Sequence, residues 1–187
     1  TMVLQKQMHF MSALQPGAEE TNMLVISNNP REAVYHFETL KQRVLQHPEI
    51  LGATAAMEEP AGNIMDRFQC SLDEQAFTDS LVMHVLCVDS NFFTFFNQKA
   101  LAGTANFGFV PGVEWERKAI ELWQLEMTNQ PIPTGLRNEI SSYTDKYILN
   151  QAALKYLGIK TPEDAIGRKF RLEHQISYLF PQGEIIG

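Results

Sequence analysis

The residues from Tyr147 to Leu172 constrain the fold of this chain more than any other part of it. Tyr147-Ile-Leu149 is a short apolar run of strand character, Asn150 is a helix cap, Ala152 to Leu157 is the helix, and Gly158 supplies the left-handed residue that ends it. A second, shorter helix follows at once. Thr161 is its cap, Pro162 suits its first position, Asp164 stands where a capping-box partner belongs, and Glu163 and Asp164 bring negative charge to the positive helix end. Arg168 to Leu172 reads as strand again. The expected order is therefore strand, helix, tight turn, helical turn, strand.

Upstream, Asn22 to Ser27 reads as a strand around Met-Leu-Val-Ile, and Asn28-Asn-Pro30 stops it and opens a helix from Pro30 to Gln46. Val34, Phe37, Leu40 and Val44 recur at helical spacing, so one face of that helix needs a cover. His47-Pro48 ends it, because the residue before proline disfavours the helical conformation. Ile50 to Met57 is expected as the next strand, adjacent and parallel to the first across a right-handed crossover: a βαβ unit. Glu58 to Asn63 is a loop.

Arg67 to Leu72 and Leu81 to Val88 are expected to pair as an antiparallel hairpin. Such pairing leaves Cys70 and Cys87 two readings, a cross-strand disulfide or two half-buried thiols. Asn91-Phe-Phe-Thr-Phe-Phe96 is an aromatic helical turn, and Gly103 to Gly112 is a loop. Trp115 to Met127 carries the strongest helical pattern, with Trp115, Ala119, Ile120, Leu122, Trp123 and Met127 as its stripe. Thr128 to Gly135 breaks it. Residues 91–166 then form a second, mostly helical lobe, and the strands Arg168 to Leu172 and Gly183 to Gly187 return to the first.

Chemistry is sparse in this pattern. Neither a nucleophile elbow Gly-x-Ser-x-Gly nor a phosphate loop Gly-x4-Gly-Lys-Ser/Thr occurs, and Gly103, Gly108 and Gly112 have the wrong spacing for either a phosphate or a dinucleotide loop. The five histidines, His9, His36, His47, His84 and His174, are isolated, with no His-x3-His or Cys-x2-Cys pair to converge on a metal. Glu58-Glu59, Asp73-Glu74 and Glu163-Asp164 are neighbours in sequence, whereas a two-carboxylate mechanism needs groups facing each other across a cleft. Phe92, Phe93, Phe95, Phe96, Trp115 and Trp123 suit core packing, with a ligand groove as the other use. No catalytic, cofactor or metal residue is assigned.

The net charge of −7 argues against nucleic acid or an anionic membrane surface as a partner, because both select clustered Lys and Arg and the 15 basic residues here are scattered. At 187 residues and 44% hydrophobic, the chain can bury a core of its own. No apolar run reaches the roughly 20 residues that span a bilayer, and no signal peptide is visible at Thr1 to Phe10. A soluble fragment is expected, and Thr1 ahead of Met2 points to an excised one.

The strand ending in Asn150, the Ala-Ala helix, Leu157-Gly158, the turn Pro162-Glu-Asp-Ala165 and Ile166-Gly-Arg168 together resemble the periplasmic core domain of MacB/FtsX-type ABC transporter permeases. Other segments agree in order. Gln5 to Met11, Gly17 and Asn22-Met-Leu-Val-Ile26 are similar to the stretch that leaves the family's first membrane helix. Phe37 to Val44 and His47-Pro-Glu-Ile50 are similar to its first helix and the run into its next strand. Val88-Asp-Ser-Asn-Phe-Phe93, Leu101-Ala-Gly103 and Phe107 resemble a further motif, with Thr104 where the family has Arg, and Glu184-Ile-Ile-Gly187 resembles the opening of its last strand.

The resemblance implies an α+β domain: a porter-like βαβ lobe, residues 1–90 plus 167–187, with an inserted, more helical, sabre-like lobe at 91–166. It implies an inner-membrane protein whose membrane helices lie before Thr1 and after Gly187, with this domain in the periplasm. The expected partners are a second permease subunit, two cytoplasmic ATPase subunits, and periplasmic or outer-membrane proteins. In such a family the domain is not an enzyme; it relays ATP-driven movement of the membrane helices to the periplasm, for export or for regulation of a partner. An extracytoplasmic sensor or ligand-binding domain is the alternative, on the mixed α/β pattern and the aromatic residues. A stand-alone enzyme has only the chain's size in its favour.

Overall fold

Apolar side chains at alternate positions of two distant segments, Cys70 and Leu72 in one and Phe170 and Leu172 in the other, put one face of each into a common core. The computed structural model describes residues 23–27, 36–58, 64–78, 80–108 and 112–187. In chain order the elements are α1 (Phe37–Val44), β1 (Arg67–Leu72), β2 (Val82–His84), α2 (Phe92–Phe95), α3 (Val113–Met127), α4 (Leu136–Ser141), β3 (Lys146–Tyr147), α5 (Gln151–Tyr156), β4 (Lys169–Leu172) and β5 (Gly183–Ile185). Short 3-10 turns at Glu163–Ala165 and Ser177–Leu179 flank β4.

The strands form one five-stranded sheet among the described residues, in the order β2-β1-β4-β5-β3. Its β1–β2, β1–β4 and β4–β5 pairs are antiparallel, and only β3–β5 is parallel. Helices and a mixed sheet together make the chain α+β. Among the described residues no helix is long and apolar enough to cross a membrane.

The segment from Tyr147 onward folds as its local signals demand. The Asn150 side chain accepts the Ala153 N–H at 2.8 Å, the bond that makes a cap. Gly158 stands at φ 70°, and the N–H groups of Gly158 and Ile159 close on the carbonyls of Lys155 and Leu154 at 3.2 and 2.9 Å. This pair of bonds ends α5 and turns Ile159 into the core. Thr161 Oγ1 then accepts the Asp164 N–H at 3.3 Å, and Ala165 is buried behind it.

Two hydrophobic clusters result. The sheet cluster holds Cys70, Leu72, Ile159, Ala165, Phe170, Leu172 and Ile185, with Leu154 and Leu157 of α5 packed over it. The opposite face of β1 and β4 is covered differently: Arg171 donates to Ser71 Oγ at 3.1 Å and to the Gln75 carbonyl at 2.8 Å, and its guanidinium lies over the Phe77 ring. The helical cluster joins α3 to α4 through Ala119, Leu122, Leu136 and Ile140, with Tyr178 and Leu179 closing it. Tyr178 and Arg137 both bind the Glu126 carboxylate and fasten the second 3-10 turn and α4 to α3.

These clusters divide the chain differently from the expected lobe boundaries. Ile159 and Ala165, within 91–166, sit in the sheet cluster, while Tyr178 and Leu179, beyond 167, sit in the helical one. The reason is that β3 leaves the helices early and adds to the sheet beside β5.

Several expectations are corrected. Ile50 to Met57 is not a strand: among the described residues it makes a single antiparallel bridge, Ala56 to Val88, with Met57 N–H bonded to Cys87 O and Asp89 N–H to Ala55 O. Gly52, Ala53, Ala55 and Ala56 have weak strand preference, and without a full ladder the segment stays irregular. The expected parallel βαβ pairing is therefore absent among the described residues, where Met23 to Ser27 also carries no strand. Leu81 to Val88 is strand only at β2. Gln5 to Met11, Gly17, Asn22, Pro30, Val34 and His9 lie outside the described residues.

Polar contacts tie α1 to the rest. Lys41 Nζ meets Asp89 Oδ2 at 2.5 Å and Asn91 Oδ1 at 3.2 Å, and Asn91 donates to the Ala53 carbonyl at 2.9 Å. The Lys41 and Asp89 side chains are only 11% and 10% exposed. At that depth, removing one partner strands the other's charge and is far more damaging than the net worth of the pair.

Candidate functional site

The two clusters meet at a short extended stretch, Tyr143-Thr-Asp145-Lys-Tyr147, that runs from the end of α4 into β3. In extended chain every second side chain points the same way, so Tyr143, Asp145 and Tyr147 fall on one side. The two rings anchor in different bodies. Tyr143 meets Trp115 of α3 edge-to-face at 5.2 Å, and Tyr147 meets Phe170 of β4 edge-to-face at 4.9 Å. Asp145 lies between them, accepting from the Tyr147 hydroxyl at 3.3 Å, with the Tyr143 hydroxyl beside it.

Backbone contacts hold the carboxylate in place. The Asp145 carbonyl accepts the Glu184 N–H at 3.0 Å, which stitches the stretch to β5. Gly183 allows this approach: a Cβ there would stand 2.2 Å from the Asp145 carbonyl oxygen and 2.6 Å from the Tyr147 ring. The Tyr147 hydroxyl also lies 3.4 Å from the Pro181 carbonyl.

The electrostatics follow from partial burial, with no cation acting on the carboxyl among the described residues. Desolvation lifts the Asp145 carboxyl from its ordinary value to about 6, against the opposing pull of the Tyr147 and Tyr143 hydrogen bonds. Burial, then the Asp145 charge, raises both tyrosine hydroxyls as well. Cys87 is pushed up to about 11, first by burial and then by Asp145 and Asp66. A thiol so placed stays protonated at neutral pH and is a poor nucleophile.

Beside this stretch an open groove of about 450 Å3 runs between α3 and α4, lined by Trp115, Lys118, Glu139, Ser142 and Tyr143. Lys118 and Glu139 form an ion pair across it at 2.7 Å. The indole Nε1 of Trp115 is buried and has no acceptor among the described residues.

The residues weighed from sequence do not converge. Cys70 and Cys87 are both free thiols. The hairpin register pairs Arg67 with His84 and Gln69 with Val82, which sets Cys70 opposite Leu81 and leaves Cys87 well beyond β2. Six residues of extended chain separate the two along the hairpin, roughly 20 Å, against the ~7 Å that a disulfide tolerates. His36 and His47 are exposed, His84 bonds the Ile64 carbonyl through Nδ1 at 2.7 Å, and His174 packs against Phe68 and Phe180. Among the described residues no group of three His, Cys, Asp or Glu is placed to hold a metal ion.

The carboxylate neighbours are likewise apart. Glu58 accepts the Met65 N–H, Asp73 holds Arg168 through Nε at 2.7 Å, and Glu163 and Asp164 are exposed at a helical turn. Phe92, Phe93, Phe95 and Phe96 pack on one another, ring against ring at 4.8 to 5.4 Å, and Phe93 reaches Phe107. Gly103 closes against the Ile186 carbonyl, whose oxygen accepts the Thr104 N–H at 2.7 Å, so Thr104 is tied to the segment after β5. Asp145 was not among the residues singled out, although Tyr-x-Asp-x-Tyr on extended chain is a readable sign of a carboxylate flanked by two hydroxyls.

Comparison with protein families, curated proteins and solved structures finds no match for this chain.

Proposed function

We propose that this chain is a non-catalytic extracytoplasmic domain of a MacB/FtsX-type ABC transporter permease, a relay that passes movement of membrane helices to the periplasm for export or for regulation of a partner. In that reading the sheet belongs to a porter-like lobe and α3 with α4 to the inserted one. The observation that carries it is the stretch from Tyr147 to Leu172. Its cap at Asn150, its left-handed stop at Gly158 and its turn at Thr161 are the features on which the resemblance rests, and each makes its backbone bond.

The position of β5 supports the same reading mechanically. β5 lies inside the sheet, between β4 and β3, and just beyond it the Gly187 carbonyl accepts the Leu149 N–H at 3.0 Å. A pull transmitted along the chain at Gly187 would load ladders on both sides of that strand at once. A relay needs such stiffness, since a soft attachment would absorb the displacement.

The test is the whole polypeptide to which these residues belong. Apolar segments of about 20 residues are expected on both sides of the domain. Purified from detergent, the whole protein is expected to bring down a nucleotide-hydrolysing subunit. Lack of both the segments and the subunit refutes the proposal.

The groove along Trp115 and Tyr143 favours a second reading, an extracytoplasmic sensor or ligand-binding domain. A small-metabolite screen decides between them, because a ligand bound tightly to the folded state must raise the Tm by mass action.

A further inference from the structure

We propose that Asp145 is a proton-operated latch between the helical and the sheet clusters: with a proton on its carboxyl the seam between them closes, and with the proton gone the seam opens. The inference stands on the geometry of the seam and holds whether or not the chain belongs to a transporter.

Three observations lead to it. The first is position: Asp145 sits in the stretch that passes from α4 into the sheet, between two tyrosines whose rings are anchored on Trp115 and Phe170 in the separate clusters. The second is the company it keeps. The groups facing it are the Tyr143 and Tyr147 hydroxyls and the Cys87 thiol, with Asp66 beyond the thiol. The nearest cations in sequence and across the sheet are occupied elsewhere: Lys146 Nζ bonds the Phe107 carbonyl at 2.5 Å, and Lys169 stands 4.0 Å from Glu184. Among the described residues, a carboxylate at this seam gains the Tyr147 hydroxyl as a donor and no counter-charge.

The third observation is that the neutral acid completes a chain of donors. Protonated, Asp145 donates its O–H to the Tyr147 oxygen, and Tyr147 donates to the Pro181 carbonyl already 3.4 Å away. Each hydroxyl then has both a role and a partner. In the ionised form Tyr147 must serve Asp145, and a negative charge stays half-buried at the joint. The proton comes from and returns to water at the seam, so no other reactant is needed.

The direction follows from linkage. The carboxyl titrates near pH 6 in the closed seam, raised by desolvation, and near its ordinary value of 3.8 once water reaches it. A raised value means that protons favour the closed form: closure is strongest below about pH 4, weakens as pH rises, and is weakest above pH 6. Between pH 5 and pH 7 the opening equilibrium is expected to rise about tenfold.

Amide hydrogen exchange of α3 and α4, corrected for the intrinsic pH dependence of exchange, reads this equilibrium. In the wild-type chain the opening of these helices should be about tenfold more populated at pH 7 than at pH 5, while the amides of β1 and β4 change little. Asp145→Asn keeps the shape and removes the charge; in it the two pH values should give the same opening. Tyr147→Phe, which leaves the ring on Phe170 and removes a donor that lowers the carboxyl's value, should move the midpoint upward from pH 6. Equal opening of the wild type at pH 5 and pH 7, or a pH response that survives Asp145→Asn, overturns the latch.

Discussion

The sheet cluster and the helical cluster are held by different kinds of contact. The helical one is nearly local: Ala119, Leu122, Leu136 and Ile140 come from one hairpin of helices, and only Tyr178 and Leu179 arrive from afar. The sheet cluster collects Cys70, Leu72, Ile159, Phe170 and Ile185 from segments that meet only when the chain has folded back on itself. Local packing can form and break by itself, whereas the sheet forms as a whole or not at all. The molecule therefore joins a body collected from distant segments to one built almost locally, and the seam at Asp145 lies where the two join.

Phe170→Ala should have the largest effect, because Phe170 is 2% exposed and packs at the centre of the sheet cluster. A loss of about 4 kcal/mol is expected from the transfer and cavity costs together, read as a lower urea midpoint with all probes falling at once. If the sheet amides lost protection strand by strand instead of together, the cooperative picture of that body would be broken. Ile140→Ala comes next, at about 3 kcal/mol, since Ile140 is 1% exposed between α3 and α4. Here the effect should be unequal: hydrogen exchange of α3 and α4 rises well before that of β1 and β4, and uniform loss would mean that the clusters are one unit.

Asn150→Ala sharpens the comparison at its small end. It removes the cap of α5, a local device within the sheet body, and should cost about 1 kcal/mol by thermal unfolding without changing the exchange of α3. A change in α3 protection would show that α5 reaches across the seam.

Legibility in the sequence followed the same division. Asn150, Gly158 and Thr161 act on backbone groups within four residues of themselves, and α3 carries its stripe at Trp115, Ala119 and Leu122, so neighbouring residues suffice to read them. Sheet order is another matter. β1 pairs with β4 across some hundred residues, Ser71 with Arg171, and nothing near either strand names its partner. Ile50 to Met57 was read as strand for the same reason, since a strand is defined by a ladder and this stretch finds only one bridge. Asp145 escaped notice because its significance comes from Trp115 and Phe170, residues far from it in sequence that turn two ordinary tyrosines into anchors.

The interior place of β5 also bears on synthesis. β3 emerges from the ribosome well before its hydrogen-bonding neighbour, and β4 lacks one of its two flanking strands over the last part of that interval. At about 5–20 residues per second, translation leaves the half-made sheet open for seconds. During that wait the nascent chain has Phe170 and Tyr147 beside a vacant ladder, and the arrival of Gly183–Ile185 between them completes the pairing of both β4 and β3.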